Sequence, residues 1–377
     1  MNTTAMTKID NKAMAYFRFR LSEMKVFFII SCVVTAAGFP LIAVMLARLT
    51  RFEFSDINAN FLDFAAFILI VPLAVAGLIF MSYALAVSAF GHLHNRNISD
   101  MHFSLPVTHR QRFWSNFTAG LLCVIIPYVA SFFAGVLIWN VFANPAGMQN
   151  ILGEALTREI SANISQYAFP LVLTGFVAII MTYSFTVFCN TVCGNGFMAV
   201  FSPLLVSGVI PLLTLTLSVL AASNNGGEIS GYPFVISTPL GFVIGSDFLI
   251  RQEQLFTVLT PAYIIPVSVI IGGLITSAFY LSKNVKAENV GRDFLYKSTY
   301  NVTQGLVCLC IVSLFGIFHV SANLIWLMIF AAIFSFVVYF IGHIVHYKGF
   351  HQLKSGALKY IAMLVGSAMV CSVLAMI

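Results

Sequence analysis

Histidines are the side chains in this sequence whose spacing comes nearest to a chemical site. His343 and His346 stand three apart, which puts both rings on one helix face, as paired metal ligands require. No third ligand lies near them, and histidines at a membrane–water boundary look the same. His92 and His94 are two apart and point to different helix faces. Cys189 and Cys193 straddle a tight turn; with Cys32, Cys123, Cys308, Cys310 and Cys371 they fall in apolar runs or on one side of them. That placement favours reduced thiols over structural disulfides. No glycine-rich phosphate loop, Walker-type lysine or nucleophile elbow occurs. The triplet Asn163-Ile164-Ser165 is a chance-level glycosylation pattern.

Four of the eight histidines crowd into one polar island, Gly91 to Asn116, together with Arg96, Arg110, Arg112 and Asp100. Its sequence, GHLHNRNISDMHFSLPVTHRQRFWSN, interrupts long apolar runs. Ile98–Phe103 alternates apolar and polar residues, which suits a short helix lying on a membrane surface. Leu105-Pro106 ends that helix, because proline disfavours helical geometry in the residue before it. Thr108 can cap a new helix that starts at His109 and runs into the next apolar stretch. Such an island either fixes topology as a charged loop or docks a cytosolic partner.

The surrounding chain sets the class. Of 377 residues 60% are hydrophobic and 8% charged, and mean hydropathy is +0.95. Soluble proteins carry about 25% charged residues. The expected fold is an all-α polytopic membrane protein. Nine apolar runs follow one another: Val26–Leu46, Phe61–Phe90, Trp114–Phe142, Tyr167–Cys189, Phe197–Ala222, Pro261–Leu281, Val302–Phe318, Leu324–Val345 and Tyr360–Ile377. Most reach the ~20 residues a transmembrane helix needs, whereas barrel strands are about ten residues long and alternate in polarity. About nine spans are therefore expected. The mixed aromatic and basic stretch Met14–Met24 suits an interfacial helix before them. No cleavable signal pattern precedes the first span.

With the N-terminus cytosolic, fifteen of the 19 Lys and Arg fall on the inside and four outside. That is a strong positive-inside bias, and it explains the net charge of +6 without nucleic acid. Residues 1–25 then form a cytosolic tail and interfacial helix. Residues 26–282 form a six-span core with an inside loop at 91–113 and an outside loop at 223–260. Residues 283–377 form a cytosolic linker and further spans. Within the outside loop, Tyr232–Ile250 is broken by Pro233, Pro239, Gly241 and Gly245, which favours a re-entrant hairpin over a tenth span. The spans hold almost no ionisable residue; Asp63 sits at the start of one. An ion-coupled transporter keeps charge at mid-depth, so energy for any transport would come from another subunit.

Three segments carry a family resemblance. SLPVTHRQRFWSNFTAGLLCVIIPYV, Ser104 to Val129, resembles the connection between spans two and three in permeases of bacterial ATP-binding-cassette transporters of the type-2 exporter class. There a short cytosolic coupling helix precedes a Leu-Pro-x-(Thr/Ser)-(basic) element. AENVGRDFLYKS, Ala287 to Ser298, and YKGFHQLKSGALKYIAML, Tyr347 to Leu364, resemble later regions of the large permeases of antimicrobial-peptide and drug-resistance systems. Those permeases often continue into an extracellular region and further spans, whereas this sequence stops inside its ninth apolar run, leaving open a native chain that extends past Ile377.

The resemblance implies a transport subunit without its own ATPase motif, in a bacterial cytoplasmic membrane. It would export an amphipathic substrate such as an antimicrobial peptide or drug. Its partners would be a cytosolic ATPase dimer, which would hold the ATP and magnesium, and a second permease subunit, identical or paralogous. This chain itself would hold no cofactor or metal. Ile98, Met101, Phe103, Leu105, Arg110 and Arg112 would form the coupling surface, the apolar ones filling a groove and Arg110 pairing with an acid. Substrate would pass between spans two and five of two such subunits. The alternatives are a non-transporting immunity or resistance factor, a secondary transporter, and an intramembrane enzyme. The last two are disfavoured by spans without charge pairs, metal clusters or activated nucleophiles.

Overall fold

A computed structural model describes residues 3–49, 77–142, 164–225, 261–283, 285, 297–322, 325–347 and 353–376. The outside loops, the Tyr232–Ile250 hairpin, Asp63 and most of the second polar island lie outside the described residues. Every described regular element is helical, as the apolar runs require. In chain order these are α1 (Thr3–Glu23), α2 (Lys25–Leu49), α3 (77–90), a 3-10 turn at Gly91–Leu93, α4 (Arg96–Ser104), α5 (His109–Phe142) and α6 (Ile164–Val192). They continue with α7 (Gly196–Asn225), α8 (Pro261–Lys283), α9 (Lys297–Ala322), α10 (Ile325–Tyr347) and α11 (Leu353–Met376).

Three helical segments among the described residues are long and apolar enough to cross a membrane: His109–Ile138, Gly175–Val192 and Ile265–Lys283. Shorter apolar segments lie in α2, α7, α9, α10 and α11. Polarity is distributed as a lipid solvent demands. Phe133, Leu137, Val141, Ile265, Val269 and Phe330 are exposed, while Ser82, Thr182, Ser184, Thr186 and Ser313 are buried. Several buried hydroxyls return their hydrogen to a carbonyl one turn back, as Ser82 does to Leu78 (2.8 Å) and Thr182 to Ala178 (2.8 Å). Helical backbone pairs its own amides and carbonyls, as hydrocarbon requires, except where a proline such as Pro40, Pro127 or Pro266 supplies no amide hydrogen. This is a membrane protein by the length and composition of its helices.

The chain divides into two compact units. In the first, α2 lies along α5, and α1 runs almost unbroken into α2 through the Met24–Arg20 and Phe28–Met24 backbone bonds. The stretch expected as an interfacial helix packs on α5, with Tyr16, Arg20 and Met24, spaced four apart, buried and Met14, Arg18 and Phe19 exposed. A reciprocal contact holds α5 to α6. The Tyr183 ring of α6 covers Gly120, and the Tyr128 ring of α5 covers Gly175, so the helices run antiparallel with a tyrosine seated on a glycine at both points. Small residues let membrane helices approach closely where lipid supplies no hydrophobic drive between them.

In the second unit, α7 packs on α9 and α11, and α9 on α10 and α11. Its core joins Cys308, Tyr339 and Tyr360. The Tyr360 hydroxyl donates to the Ala332 carbonyl (2.6 Å) and lies 2.9 Å from Ser335 Oγ, tying α11 to α10. His343, half of the metal-spaced pair, is buried, stacks on Tyr339 and covers Gly356. It packs as an aromatic core residue. The His346 side chain lies outside the described residues.

The tyrosine-on-glycine contact yields the first prediction. A Cβ at Gly120 would collide with the Tyr183 hydroxyl and sit 3.0 Å from its ring and 3.2 Å from Ala89 Cβ. Gly120→Ala gains helix propensity but overpacks, for a net loss of about 1–2 kcal/mol. Thermal survival of the detergent-solubilised protein on size exclusion should fall, and adding Tyr183→Phe should restore part of it. A double variant no better than Gly120→Ala would show that this contact does not set the helix spacing.

Candidate functional site

The polar island folds into a turn, a short helix and the start of a long one. After α3, the 3-10 turn closes with the His94 amide bonding to the Gly91 carbonyl (3.1 Å). Asn95 then caps α4, its side-chain oxygen accepting from the Asn97 amide at 3.2 Å. Leu105 is extended at φ −66°, ψ 138°, the geometry that Pro106 imposes. Thr108 caps α5 in a reciprocal capping box. Its hydroxyl oxygen accepts from the Gln111 amide (3.3 Å), and Gln111 Oε1 accepts from the Thr108 amide (3.2 Å) and hydroxyl (3.0 Å).

α4 is amphipathic in an inverted sense. Ser99 and His102, one turn apart, face inward at 0% and 1% exposure, while Ile98, Met101 and Phe103 face outward. The helix thus rests on the protein by a polar stripe and shows its apolar side chains to the surroundings. Leu105 is half-buried and Arg110 exposed. Arg112 turns inward instead, because it lies on the face of α5 that carries Phe113 and Asn116 into the unit. Its guanidinium sits over the Phe103 ring, 4.7 Å from the centroid, and donates to the Val107 carbonyl (3.4 Å). Of the six residues singled out from sequence, Ile98, Met101, Phe103 and Arg110 share the exposed surface and Leu105 sits at its edge. Arg112 braces it from beneath.

Beneath α4 lies a polar junction that sequence spacing could not reveal. Arg20 of α1 donates to the Ala89 carbonyl near the end of α3 (2.6 Å) and pairs with Glu23. Tyr16 donates to Asn116 Oδ1 of α5 (3.3 Å). Its single proton being used there, the His102 Nδ1–H of α4 completes the link by donating to the phenol oxygen (3.1 Å). His92 lies against His102 with ring centroids 4.7 Å apart. Five elements meet here, through side chains 86 and 100 residues apart.

Burial and the neighbouring Arg20 hold His102 below the usual histidine pKa, with Arg112 adding and Glu23 opposing. Burial likewise raises Tyr16, against the pull of Arg20. A small cleft of about 20 Å³, room for little more than one water molecule, adjoins the junction. Phe90, Phe103 and Phe113 form its apolar wall, and His92, His109, Arg112 and Asn116 its polar one. His109 Nε2 is hydrogen-bonded to Ser282 Oγ at the end of α8 (3.0 Å). No disulfide links the seven cysteines, and no group of three or more metal-ligating side chains forms among the described residues.

Fold and site together define an all-helical membrane protein with a rigidly mounted, outward-facing amphipathic helix between two of its long helices. No family model, curated protein or solved structure matches the chain.

The junction predicts a dependence on pH. The unfolded chain binds a proton on histidine near pH 6.5, and folded His102 binds it only at lower pH. The stability contributed by neutral His102 is therefore complete above about pH 6.5 and is lost as pH falls through the depressed folded value. Hydrogen exchange in α1 and α4 should accelerate between pH 7.5 and 5.5 after correction for intrinsic rates. His102→Asn, which keeps a donor near Nδ1 but cannot titrate, should reduce that dependence, the remainder belonging to the adjacent His92, which burial holds well below the usual histidine value. An unchanged pH profile in the variant would remove His102 from this role.

Proposed function

We propose that the chain is the transmembrane subunit of an ATP-binding-cassette exporter in a bacterial cytoplasmic membrane. It would have about nine spans and a cytosolic N-terminus, and would work with a separate ATPase dimer and a second permease subunit. The observation that carries this reading is α4. Its outward Ile98, Met101 and Phe103 form an apolar ridge, with exposed Arg110 just beyond the Pro106 turn. Its inward face is hydrogen-bonded to α1 through His102 and Tyr16, Tyr16 bonds on to α5, and Arg112 of α5 lies over Phe103. A helix so mounted transmits force as a lever, because displacing it means displacing the helices bonded to it.

In this mechanism ATP binding closes the ATPase dimer, whose groove takes the apolar ridge while an acid at its rim pairs with Arg110. Closure pulls α4 and, through Tyr16, Asn116 and Arg112, the cytosolic ends of α1 and α5. The spans tilt, and the substrate path between two permease subunits changes the side it opens to. An amphipathic peptide or drug suits a path lined by apolar side chains, of which the sequence supplies 37 Phe and 14 Met. The same ridge would also seat in the headgroup layer as a plain interfacial helix, as a non-transporting resistance factor would use it.

A mild-detergent purification of the tagged chain from its native membrane separates the two. The transport account expects a stoichiometric Walker-motif ATPase in the eluate, lost in a Met101→Glu, Arg110→Glu double variant that still elutes as a folded protein. Recovery of the chain without any ATPase, under conditions that preserve a control transporter complex, would favour the interfacial role.

A further inference from the structure

The turn between α4 and α5 is short and braced. The Val107 amide bonds to the Leu105 carbonyl (2.7 Å), the Thr108–Gln111 box caps α5, and the Arg112 amide bonds to the Thr108 carbonyl (2.9 Å). The Arg112 side chain also ties the turn to the Phe103 ring of α4. The first residue of α5 therefore moves with α4. That residue is His109, and its side chain leaves α5 to meet another helix.

His109 Nε2 lies 3.0 Å from Ser282 Oγ in the last turn of α8. The Ser282 hydroxyl gives its one proton to the Phe279 carbonyl (2.9 Å), so its oxygen accepts from His109, and the imidazole carries a proton on Nε2. The His109 ring packs on the Phe279 ring at 5.3 Å. Phe113, one turn along α5, meets that same ring edge-on, also at 5.3 Å. Of the three long spans, α8 is the one best placed to answer a pull at this end. Only 17% of its most apolar stretch is buried, against 39% in α5 and 72% in α6, and Gly272 and Gly273 at mid-helix face open space. Little packing opposes its displacement.

We propose that His109 is a clasp that passes displacement of α4 to α8, by donating to Ser282 and packing on Phe279. The clasp rests on the proposed transport role only for the source of the displacement, which there is ATPase closure at the α4 ridge. The link itself belongs to side chains of this chain.

Hydrogen–deuterium exchange on the full chain in detergent tests the link as a double-mutant cycle. Asn95→Ala removes the cap of α4 and should speed exchange in α4 about fivefold, carrying about twofold or more into residues 279–283 of α8. His109→Phe keeps a ring on Phe279 but no donor. In that background Asn95→Ala should still loosen α4 and leave 279–283 as they are in His109→Phe alone. His109→Gln, which keeps an amide donor, should retain part of the transmission. If His109→Phe does not fold, Ser282→Ala removes the acceptor and takes its place, with the same loss expected. An equal response of α8 to Asn95→Ala in both backgrounds, or none in the wild type, overturns the clasp. A second arm adds ATP to the chain with its co-purified ATPase. A change at 279–283 that His109→Phe abolishes extends the clasp to the transport cycle, and one that His109→Phe leaves intact counts against it. An ATPase that never co-purifies, with the Asn95→Ala response intact, sinks the transport reading and leaves the clasp standing.

Discussion

One buried guanidinium holds the first unit's polar end together. Arg20 reaches from α1 to a carbonyl near the C-terminal end of α3, where a helix has acceptors and no donors of its own. Without that contact α3 would end with unmet carbonyls beside an apolar phase, and the chain could not turn so sharply into α4. The charge that makes Arg20 useful also makes its burial expensive, and Glu23 one turn along α1 offsets it. The links that Tyr16 makes at this end depend on where α1 lies. The Tyr16 hydroxyl can meet Asn116 and His102 only from that position.

A membrane protein stores its specificity in such places. Along the spans the packing is carried by small residues and by rings seated on glycine, as at Gly120 and Gly175, which set distance but little direction. At the helix ends directional hydrogen bonds become possible, and this chain gathers its buried cations and histidines there. The outcome is a short helix whose apolar side faces away from the protein, the reverse of what a soluble fold would select. His102 of the polar stripe beneath it is bonded to Tyr16, and the outward side is left for a partner or the lipid interface.

What could be read in the sequence was local. The all-helical membrane class follows from run length and charge depletion. The helix break at Leu105-Pro106 and the Thr108–Gln111 cap follow from the stereochemistry of a few adjacent residues. Long-range placement was not legible. Arg112 looks as surface-like as Arg110 in a polar stretch with no apolar stripe to phase the helix; only the burial of Phe113, Asn116 and Phe117 shows which side of α5 faces inward. The Met14–Met24 stretch carries an interfacial pattern, but the four-residue spacing of Tyr16, Arg20 and Met24 fits a polar junction on α5, which the pattern alone does not disclose. The metal-like spacing of His343 and His346 likewise gave no hint that His343 packs on Tyr339 and Gly356.

Hydrogen–deuterium exchange of Arg20→Gln against the wild type, in the same detergent at pH 7.5, tests the central claim most directly. If the Arg20–Ala89 contact anchors the junction, protection should fall together in α1, in the turn at residues 89–94 and across α4, while α9–α11 of the second unit keep theirs. Loss confined to α1, with α4 as protected as before, would mean that α4 is held by something other than this buried arginine.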